Sequence, residues 1–259
     1  MRSEHKWPLF RICMAGLATR SSCWLLLLGA VVFPWIAPLM TPWQENPQIL
    51  QPARAQATWV YAWLTLFTWL PFQASILGHR LRNEGMLEHF RAGGTGIFSL
   101  CLQISSAILV WMFAVILAAC VICLTVSLPG QAAEAKLWAT LVFQYAALFA
   151  VTGGPLILLA VALGTRTAEV IAFLVPVALL FMGLSGAAWL APLLGGSSLG
   201  GLRSLWLALP HYHLADLTPR LVFKMGALPN DVFLSSIGCL ALQGAALCIF
   251  AQWVFRTRS

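Results

Sequence analysis

Chemistry in this chain could reside in a few small groups of residues. Gly183-Leu-Ser185-Gly186 presents a serine among small residues in an apolar stretch; as a nucleophile it would need a histidine base nearby. His79 and Asn83 stand in an H-x-x-x-N spacing, and His211 and His213 flank Tyr212. Cys120 and Cys123 form a C-x-x-C, the spacing of a redox pair or of half a zinc site. The sequence also contains no G-x-x-x-x-G-K-[ST], so it cannot cradle nucleotide phosphates with that loop.

Each of these groups also has a plainer use. Glycine and serine permit close helix contacts. Cysteines in apolar runs behave as small apolar residues, a reading that extends to Cys13, Cys23, Cys101, Cys239 and Cys248. Alternate histidines without a third ligand suit polar anchoring at headgroup level better than a metal. The expectation is therefore no catalytic residue, no metal site and no cofactor in this chain.

The elements that must position these residues follow from composition. With 60% apolar and 9% charged residues, the chain has too little polar surface to cover a water-soluble globule. Apolar runs near 22–40, 57–77, 97–128, 136–163, 168–193 and 232–255 each reach the roughly 20 residues that a membrane-crossing helix needs. They are continuously apolar rather than alternating, which excludes a membrane β-barrel. The predicted fold is an all-α polytopic membrane protein of six spans in a single domain, 1–259. Pro34, Pro38, Pro71, Pro155 and Pro176 should bend the spans that hold them.

Lysine and arginine set the expected orientation. With the N-terminus inside, Arg2, Lys6, Arg11, Arg20, Arg80, Arg82, Arg91, Arg166, Arg256 and Arg258 fall in the cytoplasm, as do both termini. The net charge of +7 then faces anionic membrane lipids and requires no nucleic-acid partner. Residues 1–21 place Trp7, Phe10, Met14 and Leu17 at helical spacing, which predicts a helix lying in the inner interface.

Ionisable side chains are absent from the span centres, where ion-driven carriers usually need them. Gln73, Gln103, Ser105, Ser106, Gln144, Thr152 and Gln243 read as polar groups that satisfy one another between helices. Energy for any transport should thus come from outside the chain. The loop 78–96 holds Arg80, Arg82, Glu84, Glu88 and Arg91, with Leu81, Met86, Leu87 and Phe90 as an apolar side. This predicts one short amphipathic docking helix carrying Arg80/Glu84, Glu84/Glu88 and Glu88/Arg91 neighbours, with Gly93, Gly94 and Gly96 as the hinge into the third span.

At these residues the chain resembles the permease subunits of ABC-2-type ATP-binding cassette exporters, over nearly its whole length. Members have an inner-surface elbow helix, six spans with both ends inside, and an acidic-glycine motif in the first cytoplasmic loop. That motif reads here Arg82-Asn-Glu-Gly-Met-Leu-Glu88. The resemblance implies that Arg82, Glu84, Gly85, Leu87 and Glu88 seat in a separate ATPase subunit, which would bind ATP and Mg. It further implies a second permease subunit, identical or paralogous, and residence in the bacterial inner membrane. The segment 194–230 resembles the family's short re-entrant helices before the last span, making Pro210, His213 and Asp216 an outer gate. The gap between the first two spans is too short for an extracellular domain.

Gly183-Leu-Ser185-Gly186 also resembles the G-x-S-G of rhomboid intramembrane proteases, with Ser185 as nucleophile. The resemblance fails at its partners: the His79/Asn83 spacing encloses two arginines, and His211 and His213 lack the expected A-H-x-x-G setting. A non-transporting scaffold is a further class that the sequence leaves open. An apolar path with few fixed charges favours an amphipathic or lipid-like cargo.

Overall fold

The computed structural model describes residues 7–39, 47–194 and 209–257. Its helices are α1 (Pro8–Ala18), α2 (Ser21–Leu39), α3 (Pro47–Phe67), α4 (Trp69–Asn83), α5 (Met86–Ala92), α6 (Ile97–Thr125), α7 (Ala132–Gly164) and α8 (Glu169–Leu194). After residue 208 come a 3₁₀ turn, η1 (Tyr212–Ala215), and two helices, here α9 (Thr218–Val222) and α10 (Asn230–Val254). No strand occurs among the described residues. Among the described residues, six helical segments are long and apolar enough to cross a membrane: Ser21–Leu39, Leu50–Asn83, Ile97–Thr125, Ala132–Gly164, Glu169–Gly186 and Asn230–Val254. The protein is an all-α integral membrane protein.

The second span is longer than the apolar run 57–77 predicts, because α3 and α4 continue one another across a break at Thr68. Pro71 causes the break: it has no N–H to return to the carbonyl of Phe67 four residues back. Pro34, Pro38 and Pro155, by contrast, lie inside unbroken helices.

Helix α7 is the centre of the bundle, buried against α4, α6, α8 and α10, with Trp59 and Trp63 of α3 reaching its Tyr145 and Phe149. Its crossing with α4 brings backbone against backbone. A Cβ on Gly164 would lie 2.4 Å from the Ser75 carbonyl oxygen, and one on Gly78 would lie 2.4 Å from that of Val161. Only glycine fits at either position, because neither helix backbone can move aside as a side chain could. Peripheral α2 and α10 instead leave Leu25, Leu28, Trp35, Leu242, Ile249 and Trp253 exposed. In a membrane, such faces meet lipid or another subunit.

The first described helix and the last described residues lie at one end of the bundle, here the terminal end. Arg91 in the last turn of α5 donates to Thr257 Oγ1, and Arg256 N–H donates to Thr165 Oγ1 at 3.1 Å. The first helix docks nearby on α6, where Gln103 Oε1 accepts from the N–H groups of Leu9 (3.1 Å) and Phe10 (3.4 Å). Those are donors that the start of a helix cannot satisfy itself. This docking corrects the predicted face of α1: Leu9, Cys13 and Leu17 are buried, Phe10 and Met14 pack beside them, and Trp7 is exposed. Burial pushes the Cys13 thiol up to about 12, so it packs as an unreactive apolar group.

Glutamines inside the spans do not satisfy one another as expected. Gln103 holds α1, and Gln73 Oε1 accepts from Arg20 at 2.6 Å, beside the start of α2. At the opposite, far end, Gln144 exchanges two bonds with the backbone of Leu228, and Gln243 Oε1 accepts from His211 N–H at 3.1 Å. Gln103, Gln144 and Gln243 therefore tether segments that do not span, whose loose backbone groups need partners at bundle depth, while Gln73 holds the Arg20 side chain.

Candidate functional site

At the terminal end, the 78–96 loop is split where one helix was predicted. Helix α4 ends at Asn83 and α5 begins at Met86, with Gly85 between them at φ +72°, a left-handed conformation that suits glycine. The break separates Arg80 and Glu84, at the end of α4, from Glu88 and Arg91 on α5. Leu87 is fully buried and Leu81 nearly so, while Met86 and Phe90 pack half-buried against the core. Leu87 thus fastens α5 to its own bundle and is not available to a partner. Arg80, Glu84 and Arg91 are exposed, with Arg82, Gly85 and Glu88 half-buried between them. Gly93 closes α5, and Gly94 turns the chain toward α6 at φ +87°. His79 Nε2 meets Asn83 Nδ2 at 2.8 Å and lies 3.9 Å from Glu169 at the start of α8.

At the far end, η1 and α9 fold back against α3, α7 and α8. Gly183 admits them: a Cβ there would lie 2.4 Å from Tyr212 Cδ2 and 2.9 Å from the Pro210 carbonyl oxygen. The small-residue run of α8 is therefore a seat for the Tyr212 ring, which is buried. His213 hydrogen-bonds the Gly183 backbone; its own burial, and then His211, lower its pKa from the ordinary 6.5.

Tyr145, fully buried within α7, is the hub of this end. Its hydroxyl donates to Asp216 Oδ1 at 2.8 Å, accepts from Trp63 Nε1 at 2.8 Å and lies 2.7 Å from Thr218 Oγ1. Thr218 N–H donates to the same Asp216 oxygen at 3.0 Å. Trp59 stacks on the Tyr145 ring, centroids 4.0 Å apart. Beside the cluster is a cavity of about 520 Å³ bounded by Val60, Trp63, Leu64 and Phe67 of α3, Leu184 and Ser185 of α8, and His213, Asp216, Thr218 and Pro219.

Of the predicted outer residues, His213 and Asp216 thus share one cavity wall, and Pro210 packs on α8. Residues 195–208 of the predicted 194–230 segment lie outside the described residues. Ser185 shares the cavity with His213 and Asp216, yet no hydrogen bond joins Ser185 to an imidazole among the described residues. Asp216 Oδ1 is taken by Tyr145 and Thr218. Sequence reasoning missed Trp59, Trp63, Tyr145 and Thr218. A signal was present in Tyr145, whose hydroxyl inside an apolar span requires a partner.

No protein-family model matches this chain. Neither a curated protein nor a solved structure matches it.

Proposed function

We propose that this chain is the membrane-spanning permease subunit of an ABC transporter of the ABC-2 type, working in export. It pairs with a second permease and couples to a separate ATPase that binds ATP and Mg. The observation that carries the reading is the split loop at the terminal end. A seven-residue helix, α5, sits between the second and third spans, fastened to the bundle by Leu87, with the charged Arg80, Glu84 and Arg91 turned out. A short, anchored, charge-bearing helix is suited to pass force from a partner into two spans at once. The docked α1 and the adjoining C-terminal tail complete a platform at the same end. Arg11, Arg20, Arg80, Arg82, Arg91, Arg166 and Arg256 lie in or beside the segments at that end, which supports a cytoplasmic terminal end in a bacterial inner membrane.

Purifying the tagged chain in mild detergent, identifying co-purifying subunits and assaying ATP hydrolysis tests the proposal. Glu84→Lys with Glu88→Lys should release the ATPase or uncouple it while leaving the bundle folded. Full ATPase association and activity in that variant would sink the assignment. The shared cavity of Ser185, His213 and Asp216 favours one competing reading, an intramembrane serine protease. It predicts cleavage of a membrane substrate by the purified chain, lost in Ser185→Ala. A chain with neither partner nor cleavage would be a scaffold.

A further inference from the structure

We propose that the cavity between α3, α8 and the η1–α9 segment binds an amphiphile bearing a cationic group, with Asp216 facing the charge and the α3 wall holding the apolar part. The inference concerns what the cavity takes; only its use as a stage on a transport path rests on the permease reading.

Charge in the lining decides the sign of the ligand. Among the described residues that line the cavity, Asp216 is the acidic one and none is lysine or arginine. The nearby Arg220 is engaged elsewhere, donating to the carbonyl oxygens of Gly226 at 3.2 Å and Ala227 at 3.4 Å. Burial and the neighbouring His211 favour the neutral form of His213. Against the described lining, an anion would therefore meet a carboxylate with no compensating cation, and a cation would meet its complement.

The carboxylate is also built for use. Tyr145 and the Thr218 N–H hold Oδ1 on one side, which fixes the plane of the group. Among the described residues no donor is found for Oδ2, and a carboxylate has about four acceptor sites. Asp216, with this remaining capacity, is part of the cavity lining. Nearby, Trp63, whose indole N–H is committed to Tyr145 and whose ring packs edge-on with Phe149, adds an aromatic group to the lining that suits a cation or an apolar group. Val60, Leu64, Phe67 and Leu184 supply the rest of the wall, and about 520 Å³ falls within the range of small-molecule sites, about 300 to 1,000 Å³. A bare metal ion has no use for such an apolar volume.

The required chemistry, a cationic group on an apolar body, occurs both in amine-bearing lipid headgroups and in free lipophilic cations. The test uses tetraphenylphosphonium as the probe, with the full chain in dodecylmaltoside and equilibrium dialysis as the readout. Saturable binding is expected, with tetraphenylborate, an anion of the same shape, failing to compete. Asp216→Asn should weaken phosphonium binding at least about tenfold, the scale of one lost charged contact. Val60→Trp, which fills the cavity and leaves Asp216 in place, should abolish it. Absent phosphonium binding, equal competition by tetraphenylborate, or unchanged affinity in a folded Asp216→Asn or Val60→Trp variant would each overturn the proposal. Should Asp216→Asn fail to fold, the charge selectivity of the unaltered chain and Val60→Trp still decide. Repeating the measurement in phosphatidylglycerol nanodiscs with and without phosphatidylethanolamine separates the sources. Competition by phosphatidylethanolamine assigns the site to a lipid amine; its absence, with phosphonium still bound, assigns it to a free cation.

Discussion

Replacing Tyr145 with Phe deletes one oxygen atom and leaves shape, ring stack and burial intact, so its cost isolates the hydroxyl hub. Three contacts are lost: those with Asp216 Oδ1, Trp63 Nε1 and Thr218 Oγ1. Asp216 keeps the Thr218 N–H, but the Trp63 indole N–H, inside the core, is left without an acceptor. Hydrogen bonds between membrane helices average about 0.6 kcal/mol and reach about 1.7, and a bond to a carboxylate belongs near the upper figure. The three together predict a loss of about 2 to 3 kcal/mol. Unfolding by SDS from dodecylmaltoside micelles, followed by circular dichroism, measures it. A Trp63→Phe cycle sharpens the test: its cost should fall by about 0.6 kcal/mol or more when Tyr145 is already Phe. A Tyr145→Phe variant within about 0.3 kcal/mol of the unaltered chain, or a cycle with no coupling, would refute the hub.

Four further perturbations probe other parts of the molecule. Gly164→Ala should destabilise by at least about 2 kcal/mol in the same SDS assay, because the new methyl meets the Ser75 backbone. Gly16→Ala in α1, where a Cβ meets nothing within 4 Å, should be neutral or stabilising by up to about 1 kcal/mol. Gln103→Leu should leave the bundle folded and raise amide hydrogen exchange at Leu9 and Phe10, whose N–H groups lose their acceptor. His213 is expected to make the fold acid-sensitive. Its folded pKa lies below the ordinary 6.5, so as pH falls the unfolded chain takes the proton first. Stability should be complete above about pH 6.5, decline below it and level off under the folded value; His213→Gln should flatten that segment of the profile.

Six spans were legible because hydropathy over about 20 residues reports a solvent, and lipid is the one solvent that fits. Local detail was harder to read. In α1 the sequence offers two overlapping apolar stripes, through Trp7 and through Leu9. The choice between them was made by Gln103, some ninety positions away, and no helical period contains it. The docking loop failed for a related reason. Charges at spacings of three and four from Arg80 to Arg91 suit one helix, but Gly85 takes a left-handed turn that spacing alone does not register. The closeness of Gly78 to Gly164 likewise depends on which helices cross, a fact of tertiary structure.

Asp216 shows most clearly what a span-by-span reading overlooks. No acidic residue sits at the centre of a spanning helix, and on that ground the bundle interior reads as uncharged. A carboxylate nevertheless enters it, carried by a segment too short to span and set down beside the mid-helix residues Trp63 and Tyr145. Desolvating such a group is costly unless donors await it, and three do work around it: the tyrosine hydroxyl, the Thr218 N–H, and Trp63 through the tyrosine. Packing alone does not call for this arrangement, since an apolar residue at 216 would fill the seat without any of them. That a single charge is retained, braced from one side and open to a cavity on the other, is the strongest sign in this fold that the far end meets a ligand.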